Sequence, residues 1–109
     1  MVPIKIELPA STPRDLRDEF VTILRRLGPV QEPTTRSFDP TTVMLILAGI
    51  SAVADLLATA ALIIEWHEKA RRRNVPLDRV TIVAGNRRIR LDNTDTQTLA
   101  RLLEGLRNE

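Results

Sequence analysis

Few side chains in this chain are able to do chemistry, and their spacing decides among them. His67 is the only histidine of 109 residues. It lies close to Glu65 and Glu68, but side chains one and two positions away point to other faces of a helix. With no second histidine, the expectation is a surface residue and no metal site. There is no cysteine, which excludes thiolate zinc sites, cysteine nucleophiles and disulfides. Serines, threonines and aspartates are plentiful, yet none has the histidine partner or glycine frame of an activated nucleophile. The four glycines are scattered and make no phosphate-cradling loop. We expect a chain that is no enzyme and needs no cofactor.

One carboxylate stands out. The stretch from Val43 to Trp66 reads VMLILAGISAVADLLATAALIIEW, apolar apart from Asp55 and a few small polar residues. On a continuous helix, Ser51, Asp55 and Thr59 at i, i+4 and i+8 form a polar stripe. Two readings are open. A buried Asp55 would pair with an arginine of this or another chain and fix register or partner choice. Otherwise the stripe faces water. Ala48, Ala52, Ala54, Ala58 and Ala61 are small enough for close helix approach, so Ala48, Ala52, Asp55, Ala58 and Trp66 are the candidate interaction residues.

The remaining chemistry is cationic. Arg71, Arg72, Arg73 and Arg79, with Arg87, Arg88 and Arg90, are a candidate basic patch for phosphate, lipid headgroup or an acidic protein. The plainer reading is a solvated helix end whose dipole favours cations. Lys and Arg total 16 against 14 Asp and Glu, without the one-sided excess of a nucleic-acid binder. No aromatic side chains interleave the arginines as a base-stacking platform would require. Nucleic acid is therefore not an expected partner.

The elements that must position these groups follow from periodicity. Ile4, Ile6 and Leu8 alternate with Lys5 and Glu7 as in a half-buried strand. Thr12 and Pro13 then start a helix whose apolar face is Leu16, Phe20, Ile23, Leu24 and Leu27, stopped by Gly28 and Pro29. Residues 1–28 thus form a strand–helix unit, and residues 29–39 a polar loop. Asp39 and Pro40 would open a helix that meets no further proline until Pro76. Running over residues 40–74 at ~1.5 Å per residue, it would be roughly 50 Å long. Finally Val80–Ala84 and Arg87–Leu91 flank Gly85-Asn86 as a hairpin, with Val80 facing Leu91, Ile82 facing Ile89, Thr81 facing Arg90 and Val83 facing Arg88. Thr94 and Gln97 have capping-box spacing before a helix lined by Leu99, Leu102, Leu103 and Leu106. The hairpin and this helix make up residues 80–108.

The expected architecture is one α+β domain of order β-α-α-β-β-α, with a small three-stranded sheet and a long central helix. That helix is long enough to cross ~30 Å of hydrocarbon, and Trp66 with the arginines would suit a cytoplasmic interface. Spanning would, however, part the first strand from the hairpin, leaving neither half a stable sheet. The N-terminus MVPIKIELPA has no apolar signal core. A cytoplasmic protein is expected, with a single-pass inner-membrane anchor, C-terminus in the cytoplasm, as the alternative. Surplus apolar surface on the helix points to a homo-oligomer or a protein partner.

The order of parts resembles the effector-associated constant component proteins of bacterial conflict systems. The likeness lies in an alanine-rich apolar segment ending in IIEWHEKARRR, a hairpin of the type VTIVAGNRRIRL, and the capped helix NTDTQTLARLLEGL. It covers residues 43–107, and the N-terminal unit more loosely. The resemblance implies an accessory role in antiviral defence: an adaptor that assembles or regulates a protease-like or NTPase-associated effector through protein contacts. It brings no catalytic motif and no site residues.

Overall fold

Alternating apolar side chains give β1 (Ile4–Pro9) one buried face, and its backbone groups find a strand on each edge. A computed structural model describes residues 4–31, 42–74, 80–84 and 87–108. After β1 come α1 (Arg14–Leu24), β2 (Val30–Gln31), β3 (Thr42–Leu47), α2 (Leu56–Arg72), β4 (Thr81–Ala84), β5 (Arg87–Arg90), a single 3-10 turn at Leu91–Asn93 and α3 (Thr96–Arg107). The molecule is mixed α+β. Its sheet is five-stranded, in the order β2-β3-β1-β4-β5, and every neighbouring pair is antiparallel.

The expected order β-α-α-β-β-α and its three-stranded sheet are therefore corrected to β-α-β-β-α-β-β-α with five strands. The first strand does join the hairpin, with Ile6 opposite Ile82. Its other edge is taken by β3, with Ile6 opposite Leu45. The portion from β1 to β4 has the connectivity and strand order of the split β-α-β, or ferredoxin-like, unit, to which β5 and α3 are appended.

The long helix over residues 40–74 is the main correction. Its first apolar stretch, Thr42–Leu47, is strand; residues 48–55 are a loop; only Leu56–Arg72 is helical. A rod of roughly 50 Å would not fit a molecule whose longest extent is 32 Å. Two strong local signals divide it. Asp55 ends the loop as the N-cap of α2, its Oδ1 accepting from the Ala58 N–H at 3.0 Å, which satisfies one of the unpaired donors at a helix start. Gly49 lies so close to Gly28 that a Cβ on Gly28 would collide with the Gly49 carbonyl oxygen. No helix among the described residues is long and apolar enough to cross a membrane, so the segment on which the anchored alternative rested is no single helix. The expected cap at Asp39, Pro40 and the Gly85-Asn86 turn lie outside the described residues.

Smaller boundaries shift too. Pro13, not Thr12, is the N-cap of α1, with no side-chain cap bond, and the Thr12 hydroxyl is buried without a partner. Asp95, not Thr94, caps α3 by accepting from the Thr98 N–H at 2.7 Å; Thr94 instead donates to the Arg90 carbonyl. Helix α2 stops at Arg72, and Asn74 takes a left-handed φ of 60° just beyond it, where asparagine is tolerated.

Strand register sorts the sheet into two unlike faces. Ile4, Ile6 and Leu8, with Leu45, Leu47 and Ile82, are buried on one face. Leu16 and Phe20 from α1, Ile63 and Trp66 from α2, and Leu99 and Leu103 from α3 complete this core. Helix α2 packs against both α1 and α3, so the three helices form one layer. On the other face lie Lys5, Glu7, Met44, Ile46, Thr81, Val83, Arg88 and Arg90. Lys5, Arg88 and Arg90 there are exposed, as expected for the side of an antiparallel sheet turned to water.

Candidate protein-interaction surface

The loop between β3 and α2 is held at its base and bare at its tip. Ala48 N–H donates to the Pro29 carbonyl at 3.1 Å and Ser51 N–H to the Leu27 carbonyl at 2.6 Å. Ile50 enters the core. A turn then brings the Ala54 N–H to the Ser51 carbonyl, and the Val53 N–H reaches Ser51 Oγ. Val53 is left 93% exposed and Leu57, one turn on, 57% exposed. Single exposed apolar residues are ordinary. Here they are accompanied by exposed Ala52, Ala58 and Ala61 on the same loop and helix start, interrupted by the exposed carboxylate of Asp55.

Beside it runs an open groove of about 440 Å³ between the start of α2 and α3. Leu57 and Ala100 supply apolar wall; Asp55, Arg101, Glu104 and Arg107 supply charge. Arg107 Nη1 reaches the Ala54 carbonyl at 3.4 Å, linking the end of α3 to the loop. The groove thus sets apolar wall beside charges of both signs.

The anticipated interaction residues scatter. Ala48 and Ala52 are exposed in the loop, Ala54 is half-buried, and Ala58 and Ala61 are exposed on α2. They do not stack on one helix face. The Ser51–Asp55–Thr59 stripe does not form. Ser51 is in the loop, Asp55 is an exposed cap, and Thr59 is buried with its hydroxyl donating to the Asp55 carbonyl at 2.8 Å. Asp55 is not a buried charge: it faces water, and there it caps α2. Trp66 is corrected as well: it is 1% exposed, its Nε1 donates to the Leu16 carbonyl at 2.7 Å, and Phe20 meets it edge-on at 4.3 Å. It fastens α2 to α1 and presents nothing to a partner.

The basic residues do not form one patch. Arg71 and Arg72 are exposed in the last turn of α2, where cations complement the helix dipole. Arg73 pairs with Asp15 of α1, holding that carboxyl below its usual range. Arg88 and Arg90 lie across the sheet on the face without helices, with Arg88 paired to Glu7 at 3.2 Å. Arg79 lies outside the described residues.

His67 differs from its expected surface position. It is buried, Nε2 finds no hydrogen-bond partner, and desolvation pushes its pKa down. Among the described residues no group of three His, Asp or Glu side chains is placed to hold a metal ion.

Sequence reasoning missed Val53 and Leu57. The signal was there once α2 is started at Asp55. The buried positions Leu56, Ala60, Ile63, His67 and Ala70 keep helical phase, and Leu57 falls outside it. No family model, curated protein or solved structure matches this chain.

Proposed function

We propose that this chain is a non-enzymatic protein-interaction module, docking through the loop and helix start around Val53 and Leu57. The observation that carries this reading is the exposure of those two side chains, 93% and 57%, where the other large aliphatic and aromatic residues described are buried or half-buried. Water-facing large apolar residues grouped with small ones mark association surfaces. The flanking charged groove would fix orientation more than affinity. The surface serves self-association, an effector partner, or both in turn. The resemblance to effector-associated components of bacterial conflict systems supports the setting: a cytoplasmic adaptor that assembles or regulates a protease-like or NTPase-associated effector.

The test is light-scattering mass of the purified chain, followed by co-expression with the products of its neighbouring genes. A mass above the 12.3 kDa protomer, or a stable complex with such a product, is expected. Either should be lost on Val53→Asp with Leu57→Asp. A strict monomer that forms no complex, or assembly indifferent to both changes, would sink the reading.

A further inference from the structure

We propose that the outer edge of β5 accepts an extended acidic segment of a partner protein as a sixth strand. This surface is carried by residues separate from the Val53–Leu57 surface. Strand β5 ends the sheet, so one side of its backbone has no strand beside it among the described residues. The phase of the ladder shows which groups face outward. Leu91 N–H donates to the Val80 carbonyl, and hydrogen-bonded pairs alternate along an antiparallel ladder. Ile89, opposite Ile82, therefore bonds inward, and Arg88 and Arg90 direct their backbone groups to the edge. The Arg90 carbonyl is taken by the Thr94 hydroxyl. That leaves the N–H and C=O of Arg88 and the N–H of Arg90 for an incoming strand.

The same two residues set its chemistry. Their side chains stand on the sheet face without helices, in register with Val83 and Thr81, and beyond those with Lys5 and Glu7. Lys5, Arg88 and Arg90 are exposed cations there against the one carboxylate of Glu7, which Arg88 already engages. Among the described residues Arg90 has no ion-pair partner. Residues of an added strand opposite Arg88 and Arg90 are favoured as Asp or Glu, because opposed opposite charges stabilise cross-strand pairs and like charges do the reverse.

Charge also rules out the simplest competitor. Two copies pairing antiparallel through β5 with faces aligned set Arg88 or Arg90 against Arg88 or Arg90. The edge thus resists its own copy, a known use of edge cations, while attracting an acidic strand. Nucleic acid is the weaker occupant. Phe20 and Trp66 are both in the core, so the described face offers no aromatic for base stacking. An extended peptide, unlike a nucleotide chain, also uses the outward backbone groups.

The test measures fluorescence anisotropy of a short labelled peptide alternating valine and glutamate, titrated with the full chain. Saturable binding is expected, absent for the valine–lysine counterpart. It should weaken roughly tenfold or more with Arg90→Glu, since like charges set face to face are strongly unfavourable. Arg90→Glu breaks no ion pair among the described residues, so an unchanged circular dichroism melt will confirm that it folds. N-methylation of the backbone at alternate residues of the peptide should abolish binding in one of the two phases. No binding of the acidic peptide overturns the assignment. So does equal binding of both N-methylated forms, which would mean charge attraction without strand addition. Binding of oligouridylate in place of the peptide would assign the face to that occupant instead.

Discussion

At the scale of the residue, Asp55 and His67 carry opposite lessons about polar groups near a core. Asp55 is a carboxylate made cheap by geometry: it sits at the surface and accepts the Ala58 N–H at the positive end of α2. Asp55→Ala removes that acceptor and should cost about 1 kcal/mol, the usual worth of an N-cap, read as a lower urea midpoint at unchanged slope. Asp55→Asn keeps the cap and should cost much less. His67 is costly whenever it is charged. Burial lowers its pKa in the folded chain below the ordinary 6.5, with the nearby Arg71 acting the same way. The charges of Glu68 and Asp92 oppose the shift without reversing it. Between the folded and unfolded pKa values the unfolded chain holds the extra proton, so stability there rises with pH. This contribution is complete above the unfolded value, declines as pH falls through 6.5, and levels off once the folded histidine is also protonated. Unfolding followed across that window should show the slope in the wild type and a flatter profile in His67→Gln. Equal profiles would mean that water reaches Nε2.

At the scale of the element, the divided segment between Thr42 and Arg72 shows what local pattern can and cannot give. The hairpin register was legible residue by residue, because alternation sets the faces of Val80–Ala84 and Arg87–Leu91 and a two-residue connection sets their pairing. The core faces of α1 and α3 were legible from helical spacing, with Leu16, Phe20, Ile23, Leu24, Leu99, Leu103 and Leu106 all buried. Strand β3 was not. A short apolar run such as Val43–Leu47 fits a buried strand and a buried helix equally well, and what selects the strand is non-local: the second edge of β1. Continuity was inferred from the lack of proline, whereas the true break uses Gly49 and Asp55. Of the exposed small and apolar residues between Ala52 and Ala61, Ala52 and Ala58 are among those singled out from sequence, but Val53 and Leu57 become visible only when the start of α2 is known. The contact of Gly28 with Gly49 is where that break is enforced. Gly28→Ala places a methyl against a backbone oxygen that no rotamer can move aside. The end of α1 and the β3–α2 loop must then separate, at a cost of about 1–3 kcal/mol or more, typical of overpacking. An alanine variant as stable as the wild type in urea would show that these backbones have room to part.

At the scale of the whole molecule, the question is what clamps the helical layer together while leaving one loop bare. Helices α1 and α2 are joined in two ways. Lys69–Glu19 at 2.9 Å and Arg73–Asp15 bridge them at the surface, and Trp66 bridges them inside through the Leu16 carbonyl and the Phe20 ring. The surface pairs are long side chains in water, and such pairs contribute a median of about 0–1 kcal/mol each, less in salt. The interior bond is different in kind. Trp66→Phe keeps much of the apolar body but removes the buried bond to the Leu16 carbonyl, which keeps only its partner within α1, a loss of about 0.5–1.5 kcal/mol. Loss of indole volume adds a cavity term to that. The ranking is therefore decided by burial, even though the ion pairs outnumber the tryptophan. Lys69→Met with Arg73→Met should leave the urea midpoint nearly in place, and half-molar salt should scarcely move the wild-type melt. Trp66→Phe should lower the midpoint clearly in both low and high salt. If the double methionine variant proved the more damaging of the two, the layer would be held by charge. The association proposed for Val53 and Leu57 should then become salt-dependent as well, which an apolar surface on a rigid, core-clamped scaffold should not be.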